Sequence, residues 1–404
     1  MLPVAEAQRL VLQHARPLPP QTVPLTPAVQ GLILAEDVTS DLDMPPYDKA
    51  LMDGFAVRAA DLSEGRGVLS VIEEVTAGQT PRRPVGPGQA TRIMTGAPLP
   101  AGADAVVQVE RTRSVEGDRV AIDDRPVSPG LNVLRRGREM CRGEVVLPSG
   151  TTLRPQQFGT LATVGRTSAK VYLAPQVAVL STGDEVVEAP QTPGPGQIRN
   201  GNGPLLVAQV CRAGGVPRYL GIARDRLESL RPLVAEGLRA HVLVLSGGVS
   251  AGKLDLVPGV LRDLGVEAHF HKVEMKPGKP VFFGTREGTL VFGLPGNPVS
   301  ALVCFELFVR PALRRLRNHP EPGPRTVSAV LAADFAYRTD RPTYHPARLE
   351  RRADGSLHVT AVPWFGSSDL RGLTRANALV LFPPGDHQYA AGRRLEVLDI
   401  DERE

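Results

Sequence analysis

Cysteine is scarce in this sequence: 404 residues contain only Cys141, Cys211 and Cys304. These thiols lie far apart in the sequence and have no metal-ligand spacing, which argues against a cysteine-built metal site and against a disulfide-rich secreted domain. We therefore expect reduced thiols and a cytoplasmic protein. Cys304 lies between Val303 and Phe305, a setting that predicts a small apolar residue within a core.

Long apolar runs are also absent. No stretch reaches the roughly 18 apolar residues that a membrane span needs, and residues 1–20 lack a basic head followed by an apolar block. We therefore predict no membrane association and no signal peptide. The composition, 42% apolar and 22% charged, is typical of a globular protein, and a chain of this length is expected to form about two to four domains.

Aromatic residues make up only 4% of the sequence, too few for an obvious base-stacking surface. The 47 basic residues are dispersed and nearly balanced by 43 acidic ones, so we expect no nucleic-acid partner. Lysine itself is rare. Only six of the basic residues are lysines, and four of them fall in one window, at positions 253, 272, 276 and 279. This cluster indicates a site that needs a compact ammonium group, although chance and codon bias are an alternative.

The pattern of apolar residues and turn residues changes along the chain. Residues 44–143 contain short apolar runs separated by Pro-Gly turns, the pattern of a β-rich domain. Between residues 174 and 320, apolar strands such as 177–181 and 242–246 alternate with helical segments, which predicts a mostly parallel sheet. Beyond residue 320 we expect a small β domain with strands near 327–331, 357–362, 378–382 and 394–398. The predicted fold class is α/β at the centre with β-rich flanking domains.

Two glycine-containing loops follow predicted strands. Residues 246–250, Ser-Gly-Gly-Val-Ser, lack both the GxGxxG order and a Walker motif, but their amides could hold a phosphate, with a plain turn as the alternative. In residues 293–301 a strand runs through a Pro-Gly turn into a helix, with Asn297 as its cap and Pro298 in its first turn. Free amides there, with the Ser300 hydroxyl, would form an anion site, unless this is an ordinary capped helix.

Charged residues occupy further turns. Lys276 and Lys279 flank a Pro-Gly turn, and two ammonium groups held close together repel each other unless an anion lies between them. Carboxylates follow other strands at Asp184, Glu185 and Asp225, with Asp255 in a further loop. Magnesium favours one or two such carboxylates together with substrate phosphate. A solvated basic turn and ordinary capping residues are the alternatives.

Six segments stand out together, in this order: Pro45-Pro-Tyr-Asp-Lys-Ala-Leu-Met-Asp-Gly-Phe-Ala-Val57, Arg92-Ile-Met-Thr-Gly-Ala-Pro-Leu-Pro-Ala-Gly-Ala-Asp-Ala-Val106, Ser181-Thr-Gly-Asp-Glu185, Ser246-Gly-Gly-Val-Ser250, Lys276-Pro-Gly-Lys-Pro280 and Leu294-Pro-Gly-Asn-Pro-Val-Ser-Ala301. They resemble the signatures of the MoeA and gephyrin E-domain family of molybdopterin molybdenumtransferases. The resemblance covers nearly the whole chain and is weakest over its last eighty or so residues.

The resemblance implies an elongated homodimer with four domains per chain. Residues 1–43 and 144–173 would form a discontinuous linker and dimerisation domain, 44–143 a β-rich domain, 174–320 an α/β domain similar to MogA, and 321–404 a C-terminal β domain. The implied reaction takes adenylylated molybdopterin and molybdate, releases AMP and leaves molybdenum on the dithiolene, with Mg²⁺ required. Other molybdenum-cofactor biosynthesis proteins and acceptor molybdoenzymes are the implied protein partners.

Site residues follow from the loops and the resemblance together. The expected catalytic residues are Asp53, Thr95, Glu185, Lys276 and Lys279, of which Asp53 and Thr95 would come from the partner subunit. The expected metal ligands are Glu185, Asp225 and Asp255. The expected substrate-binding residues are Thr182, Gly183, Asp184, Ser246, Gly247, Gly248, Ser250, Pro295, Gly296, Asn297, Pro298, Ser300 and Arg348.

The sequence departs from the family pattern in places. Lys49-Ala50 replaces an Asn-Ser pair, Lys253 stands where an acidic residue is common, and Arg138-Glu139 follow Gly137 where the family has Glu-Asp. Pro346 occupies roughly the place of a family arginine, which makes Arg348 a candidate substitute. Two other functions stay open: a pyrophosphatase acting on nucleotide derivatives, and a gephyrin-like scaffold that binds receptor tails.

Overall fold

The computed structural model describes residues 1–249 and 256–401. The chain forms two compact units, of which the larger comprises Met1–Ala35, Thr152–Arg154 and Ala169–Glu404, and the smaller Glu36–Thr151 and Pro155–Ser168. The larger unit begins with α1 (Val4–His14), β1 (Gln21–Pro24) and β2 (Ile33–Leu34). In the described ranges no helix is long and apolar enough to cross a membrane.

The smaller unit is β-rich, as the sequence predicts. Its elements are β3 (Val38–Thr39), β4 (Lys49–Ala50), β5 (Gly54–Val57), β6 (Arg66–Val75), β7 (Gln89–Ile93), β8 (Ala105–Gln108), β9 (Thr112–Val115), β10 (Arg119–Asp123), β11 (Val133–Leu134), β12 (Val145–Leu147) and α2 (Pro155–Thr163). Six strands form one sheet in the order β8-β5-β7-β6-β10-β9. Its core includes Phe55, Leu69 and Val107. Gly54 is required there, because a Cβ atom would lie 1.9 Å from the Val107 carbonyl oxygen.

The centre of the larger unit is an α/β fold. Its elements are β13 (Ser168–Tyr172), β14 (Gln176–Thr182), β15 (Val186–Val187), β16 (Ile198–Arg199), α3 (Asn202–Arg212), β17 (Val216–Ala223), α4 (Leu227–Gly237), β18 (Val242–Ser246), α5 (Val257–Asp263), β19 (Glu267–Phe270), β20 (Phe282–Arg286), β21 (Thr289–Leu294), α6 (Pro298–Cys304), a π-helical segment (Phe305–Val309) and α7 (Arg310–Leu316). The strand order of the main sheet is β17-β14-β18-β21-β20-β19.

This sheet confirms the predicted fold class. Strands β17, β14, β18 and β21 are mutually parallel, and β20 and β19 add an antiparallel edge. Helices cover both faces, so β14 and β18 are buried on either side and read as continuous apolar runs. Alternate residues reach opposite cores: Val177 packs in the core that includes α1, α3 and α6, whereas Ala178 packs in the core with α4 and α5.

The C-terminal part of the larger unit is a closed barrel. Its elements are β22 (Thr326–Leu331), β23 (Phe335–Thr339), β24 (Thr343–Arg351), β25 (Leu357–Ala361), α8 (Leu370–Leu373), β26 (Ala378–Phe382), β27 (Gly385–Tyr389) and β28 (Arg394–Asp399). The barrel order is β22-β25-β24-β26-β28, and β23 pairs with β27. Four of these strands match the predicted positions. The other three, β23, β24 and β27, were not predicted from the sequence. Strand β24 has Pro346 in its middle and no alternation of buried and exposed residues.

Candidate active site

A cleft of about 650 Å³ opens beyond the carboxyl ends of β14, β18 and β21, where a parallel sheet is expected to bind its ligand. Glu185 and Asp225 lie at its polar wall, and both are exposed. The structure brings most of the predicted residues of the sheet domain together here: Thr182, Gly183, Glu185, Asp225, Ser246, Gly247, Gly248, Pro295, Gly296, Asn297 and Pro298.

Asn202 links the two glycine-containing loops of the cleft by hydrogen bonds. Its side-chain nitrogen Nδ2 donates to the Ser246 hydroxyl and to the Gly296 carbonyl oxygen, each at 2.7 Å. The loops also approach the end of β14 closely. Gly247 has φ of +94°, and a Cβ atom there would lie 2.7 Å from the Thr182 carbonyl oxygen. Only glycine fits this position without strain, so the Gly-Gly pair is a packing requirement as well as a flexible turn.

The start of α6 corrects one expectation. Asn297 occupies the N-cap position, but its side chain makes no capping hydrogen bond; its Nδ2 donates to Ser367 Oγ at 2.8 Å instead. The amide of Val299 is not free either, because it donates to the Ser367 carbonyl oxygen at 3.0 Å. The helix start is therefore tied to Ser367, and an anion there would meet fewer free amides than the sequence suggested.

Arg224 stabilises the edge of the cleft that carries Glu185 and Asp225. Arg224 Nη1 donates to the carbonyl oxygens of Asp184, at 2.9 Å, and Val186, at 3.0 Å, so it holds the loop that carries Glu185. Asp184 itself does not line the cleft, and its Oδ1 accepts a hydrogen bond from the Asp225 amide at 3.1 Å. Asp184 is thus placed to position the backbone of Asp225, and its substrate-binding role stays a prediction.

The carboxylates at this edge of the cleft are the predicted ligands of magnesium. Within residues 1–249 and 256–401, no group of three or more Asp, Glu, His or Cys side chains could hold a metal ion. Glu185 and Asp225 nevertheless supply two carboxylates to one cleft, and Mg²⁺ commonly binds through one or two carboxylates, water and substrate phosphate. The residues present fit that mode. The other predicted residues, Ser250 and Asp255, lie outside the described part of the chain.

A second cavity of about 550 Å³ adjoins the cleft, and the two share Pro280, Pro295 and Asn297 in their linings. Lys276, Lys279 and Ser300 line it, three residues that the sequence predicts to bind an anion. Arg341 also lines it, and no sequence pattern singles this residue out. Among the described residues of its lining there is no carboxylate. We call this cavity the cationic pocket.

The turn that carries the two lysines is held in place by its surroundings. The Lys276 amide donates to the Pro342 carbonyl oxygen at 2.9 Å, and the Lys276 carbonyl oxygen accepts from the Tyr344 amide at 2.8 Å. Gly278 has φ of +108°, and a Cβ atom there would lie 2.5 Å from Cys304 Sγ. Cys304 is fully buried, which confirms its predicted place in the core, and burial raises the pKa of its thiol.

Aromatic residues also line the cationic pocket. Lys276 Nζ lies 6.0 Å from the centre of the Tyr337 ring, and Trp364 and Phe365 also line the pocket. His345 is part of the same lining but is buried, and that burial lowers its pKa. A neutral imidazole is therefore expected near neutral pH, so the positive charge of the pocket comes from its two lysines and its arginine.

Asp53 and Thr95 lie together in the smaller unit. The amide and the hydroxyl of Thr95 both donate to Asp53 Oδ1, each at 2.7 Å. These two hydrogen bonds, first that of the hydroxyl, lower the pKa of Asp53. Both residues are exposed. The pair is thus a fixed, ionised carboxylate on the surface of the smaller unit.

Several residues differ in placement from what the sequence suggested. Arg348 is exposed on β24 and its Nε donates to Glu350 Oε1 at 2.8 Å; in the described part of the chain it lies outside both linings. Asn200 and Asn202 line the cleft but were not among the predicted residues, although an Asn-Gly-Asn run before a helix is a recognisable turn signal. Ser367 carries no such signal, because only the tertiary fold brings it to α6.

Models of three protein families match the chain. They are the MoeA N-terminal region, domains I and II, over residues 2–165; a probable molybdopterin binding domain over residues 178–315; and the MoeA C-terminal region, domain IV, over residues 328–400. Among curated proteins, a molybdopterin molybdenumtransferase of Bacillus subtilis is 36% identical over 99% of this chain and 94% of its own length. One from Staphylococcus aureus is 33% identical over 98% and 95%.

Solved structures agree. Two crystal structures of the MoeA protein from Pyrococcus horikoshii superpose with a TM-score of 0.83, at 34% and 30% sequence identity, and cover 99% of this chain and 99% and 100% of their own. The protein is therefore a transferase of molybdenum cofactor biosynthesis. It belongs to the MoeA family of molybdopterin molybdenumtransferases.

Proposed function

We propose that this enzyme takes adenylylated molybdopterin and molybdate as substrates, inserts molybdenum at the dithiolene and releases AMP. The proposal rests on one observation: two cavities of different chemistry lie side by side. A cleft with glycine-containing loops and two carboxylates adjoins a pocket with three cations and no acidic residue in its described lining. The first suits a phosphate-linked pterin, and the second suits a small oxyanion.

The cationic pocket would hold molybdate. A doubly negative anion beside Lys276 and Lys279 gains Coulomb energy from both ammonium groups and relieves their mutual repulsion. The Ser300 hydroxyl, buried in the same lining, can donate one more hydrogen bond. The anion is thereby placed next to the cleft, and this proximity, rather than a protein nucleophile, would provide much of the rate acceleration.

The cleft would hold the adenylylated pterin. Its phosphates would meet the loops of residues 182–183 and 246–248, which Asn202 and Arg224 hold in place. Bound Mg²⁺ would offset phosphate charge as the anhydride is cleaved. Glu185 and Asp225 are the described residues that would hold it, and Asp255 is a further candidate by sequence.

Asp53 and Thr95 would act from the partner subunit of a homodimer. The ionised state of Asp53 and its fixed geometry support a role in a site that is completed by another surface. Nearby in sequence, Tyr47, Leu51 and Met52 are exposed large apolar residues, and such residues favour burial against a partner. The four-domain division of the chain is likewise proposed, supported by the separate cores of the β-rich segment and the barrel.

We also infer a cytoplasmic location, from the sparse cysteines, and transfer of the product to acceptor molybdoenzymes.

The test of the reaction is AMP release from adenylylated molybdopterin in the presence and absence of molybdate. Release that requires molybdate supports the transferase. Equal release without molybdate would indicate a pyrophosphatase, and no release under any condition would indicate a scaffold.

A further inference from the structure

Phe365 lines the cationic pocket and is nevertheless 93% exposed, the largest exposed fraction among the large apolar residues that the structure describes. We infer that the Phe365 ring stacks on the fused ring system of the pterin and so contributes to recognition of adenylylated molybdopterin. This inference rests on the proposed function and deepens it, because it assigns one part of the organic substrate to a named side chain.

The loop that carries Phe365 is fixed at its backbone. The Phe365 amide donates to Asp369 Oδ2 at 3.2 Å, and the Gly372 amide donates to Asp369 Oδ1 at 2.8 Å. Ser367, in the same loop, accepts hydrogen bonds from the start of α6, at 2.8 Å to its hydroxyl and at 3.0 Å to its carbonyl oxygen. An exposed ring on a fixed backbone loses little conformational entropy when a ligand covers it, which favours binding.

The cationic pocket offers more than a small anion needs. Its volume of about 550 Å³ is far larger than one tetrahedral oxyanion and lies within the range of about 300–1,000 Å³ that is typical of sites for larger organic ligands. Besides its cations, the lining includes Tyr337, Trp364 and Phe365. Flat heterocycles stack favourably on aromatic side chains. We therefore expect an organic ring to share this pocket with the oxyanion.

The connectivity of the substrate favours the pterin over the adenine as that ring. The dithiolene that receives molybdenum is part of the fused ring system of the pterin, whereas the adenine is separated from it by the phosphates and the ribose. Lys276 and Lys279, the proposed oxyanion ligands, line the same pocket as Phe365, and the proposed phosphate loops line the adjoining cleft. With its phosphates in the cleft and its dithiolene beside the oxyanion, the substrate brings its pterin ring to the pocket.

Trp364 provides a direct measurement, because it is the only tryptophan of the chain and lines the same pocket. Adenylylated molybdopterin titrated into the full-length protein should quench the fluorescence of Trp364, whereas AMP should leave it nearly unchanged. The affinities for both ligands are then measured by calorimetry in variants of Phe365.

Phe365→Ala should weaken the binding of adenylylated molybdopterin by roughly five- to a hundredfold, the loss of one stacked ring, and should leave the affinity for AMP unchanged. Phe365→Leu should show most of the same loss, because it keeps apolar volume without an aromatic face. Phe365→Tyr should bind like the parent protein. Leu227→Ala is the matched control, since Leu227 is 52% exposed at the start of α4 and lies outside the described linings of both cavities.

The outcomes separate this inference from the proposed function. Parent-like affinity of Phe365→Ala or of Phe365→Leu for adenylylated molybdopterin overturns the stacking role and leaves the two proposed cavities intact. A loss of AMP affinity in Phe365→Ala assigns the ring to the adenine and also overturns it. No binding of adenylylated molybdopterin by the parent protein contradicts the proposed function itself. Phe365→Leu maintains the test if Phe365→Ala unfolds.

Discussion

Thr95 directs two donors, its backbone amide and its hydroxyl, at one oxygen of Asp53, each at 2.7 Å. The second carboxylate oxygen receives no bond from Thr95. Both donors stabilise the ionised form, and they lower the pKa of Asp53. The carboxylate is therefore expected to stay charged as the pH falls toward its ordinary titration range.

Complementation between two inactive chains tests whether Asp53 acts across a dimer. Asp53→Asn removes the charge but keeps the side-chain size, and Lys279→Ala removes a cation of the pocket. We expect each variant to be strongly impaired alone, and mixed dimers to regain part of the AMP release, because one of their two sites would be intact. Mixed dimers that demonstrably form and remain inactive would argue against a shared site.

Gly247 gives a test of the loop geometry. Its φ of +94°, and the distance of only 2.7 Å that would separate an added Cβ atom from the Thr182 carbonyl oxygen, predict strain for any larger residue. Gly247→Ala should lower the free energy of unfolding by about 1–3 kcal/mol, measured by urea denaturation. Gly259 in α5 has open space around a Cβ atom, so Gly259→Ala should instead be neutral or stabilise by about 0.5–1 kcal/mol. Equal effects of the two substitutions would contradict the account.

The carboxylates of the cleft predict a magnesium requirement. Glu185→Gln and Asp225→Asn should each raise the Mg²⁺ concentration needed for half-maximal AMP release, because each removes a charged oxygen ligand. The control is Glu228→Gln, in the first turn of α4 and outside the described lining of the cleft. Full activity of the parent enzyme in excess chelator would rule out the requirement.

Because His345 is buried, we expect the protein to lose stability as the pH falls below 6.5. Burial lowers its pKa from the ordinary 6.5, so the unfolded chain binds the proton more readily than the folded one. The stabilisation is fully present above pH 6.5 and declines as the pH falls through the lower folded-state value. His345→Gln should therefore flatten the dependence of the melting temperature on pH below about 6.5. An unchanged slope would contradict this role.

The sequence predicts the central sheet well and the barrel less well, and the reasons are physical. Strand β18 is buried on both faces, so its apolar run is visible without any partner. Strand β24 is not, because Pro346 interrupts it and its burial does not alternate. Its pairing with β25 and β26 is decided by closure of the barrel.

The residues of the candidate site likewise differ in how far the sequence predicts them. Lys276 and Lys279 are visible in the sequence because lysine is rare and the turn is short. Arg341 is one of many arginines, and only the hydrogen bonds between its turn and the lysine turn bring it to the pocket. The capping role expected for Asn297 fails for a related reason: Ser367, seventy residues away in sequence, offers its side chain a different partner.

The most direct test of the central claim, one pocket for molybdate and one cleft for the pterin nucleotide, is the pair of equilibrium affinities in Lys276→Ala and Lys279→Ala. Losing one charge-assisted contact should weaken molybdate binding by roughly ten- to a hundredfold, while binding of adenylylated molybdopterin changes little. Unchanged molybdate binding with collapsed pterin binding would contradict the account, since the lysines would then serve the nucleotide phosphate.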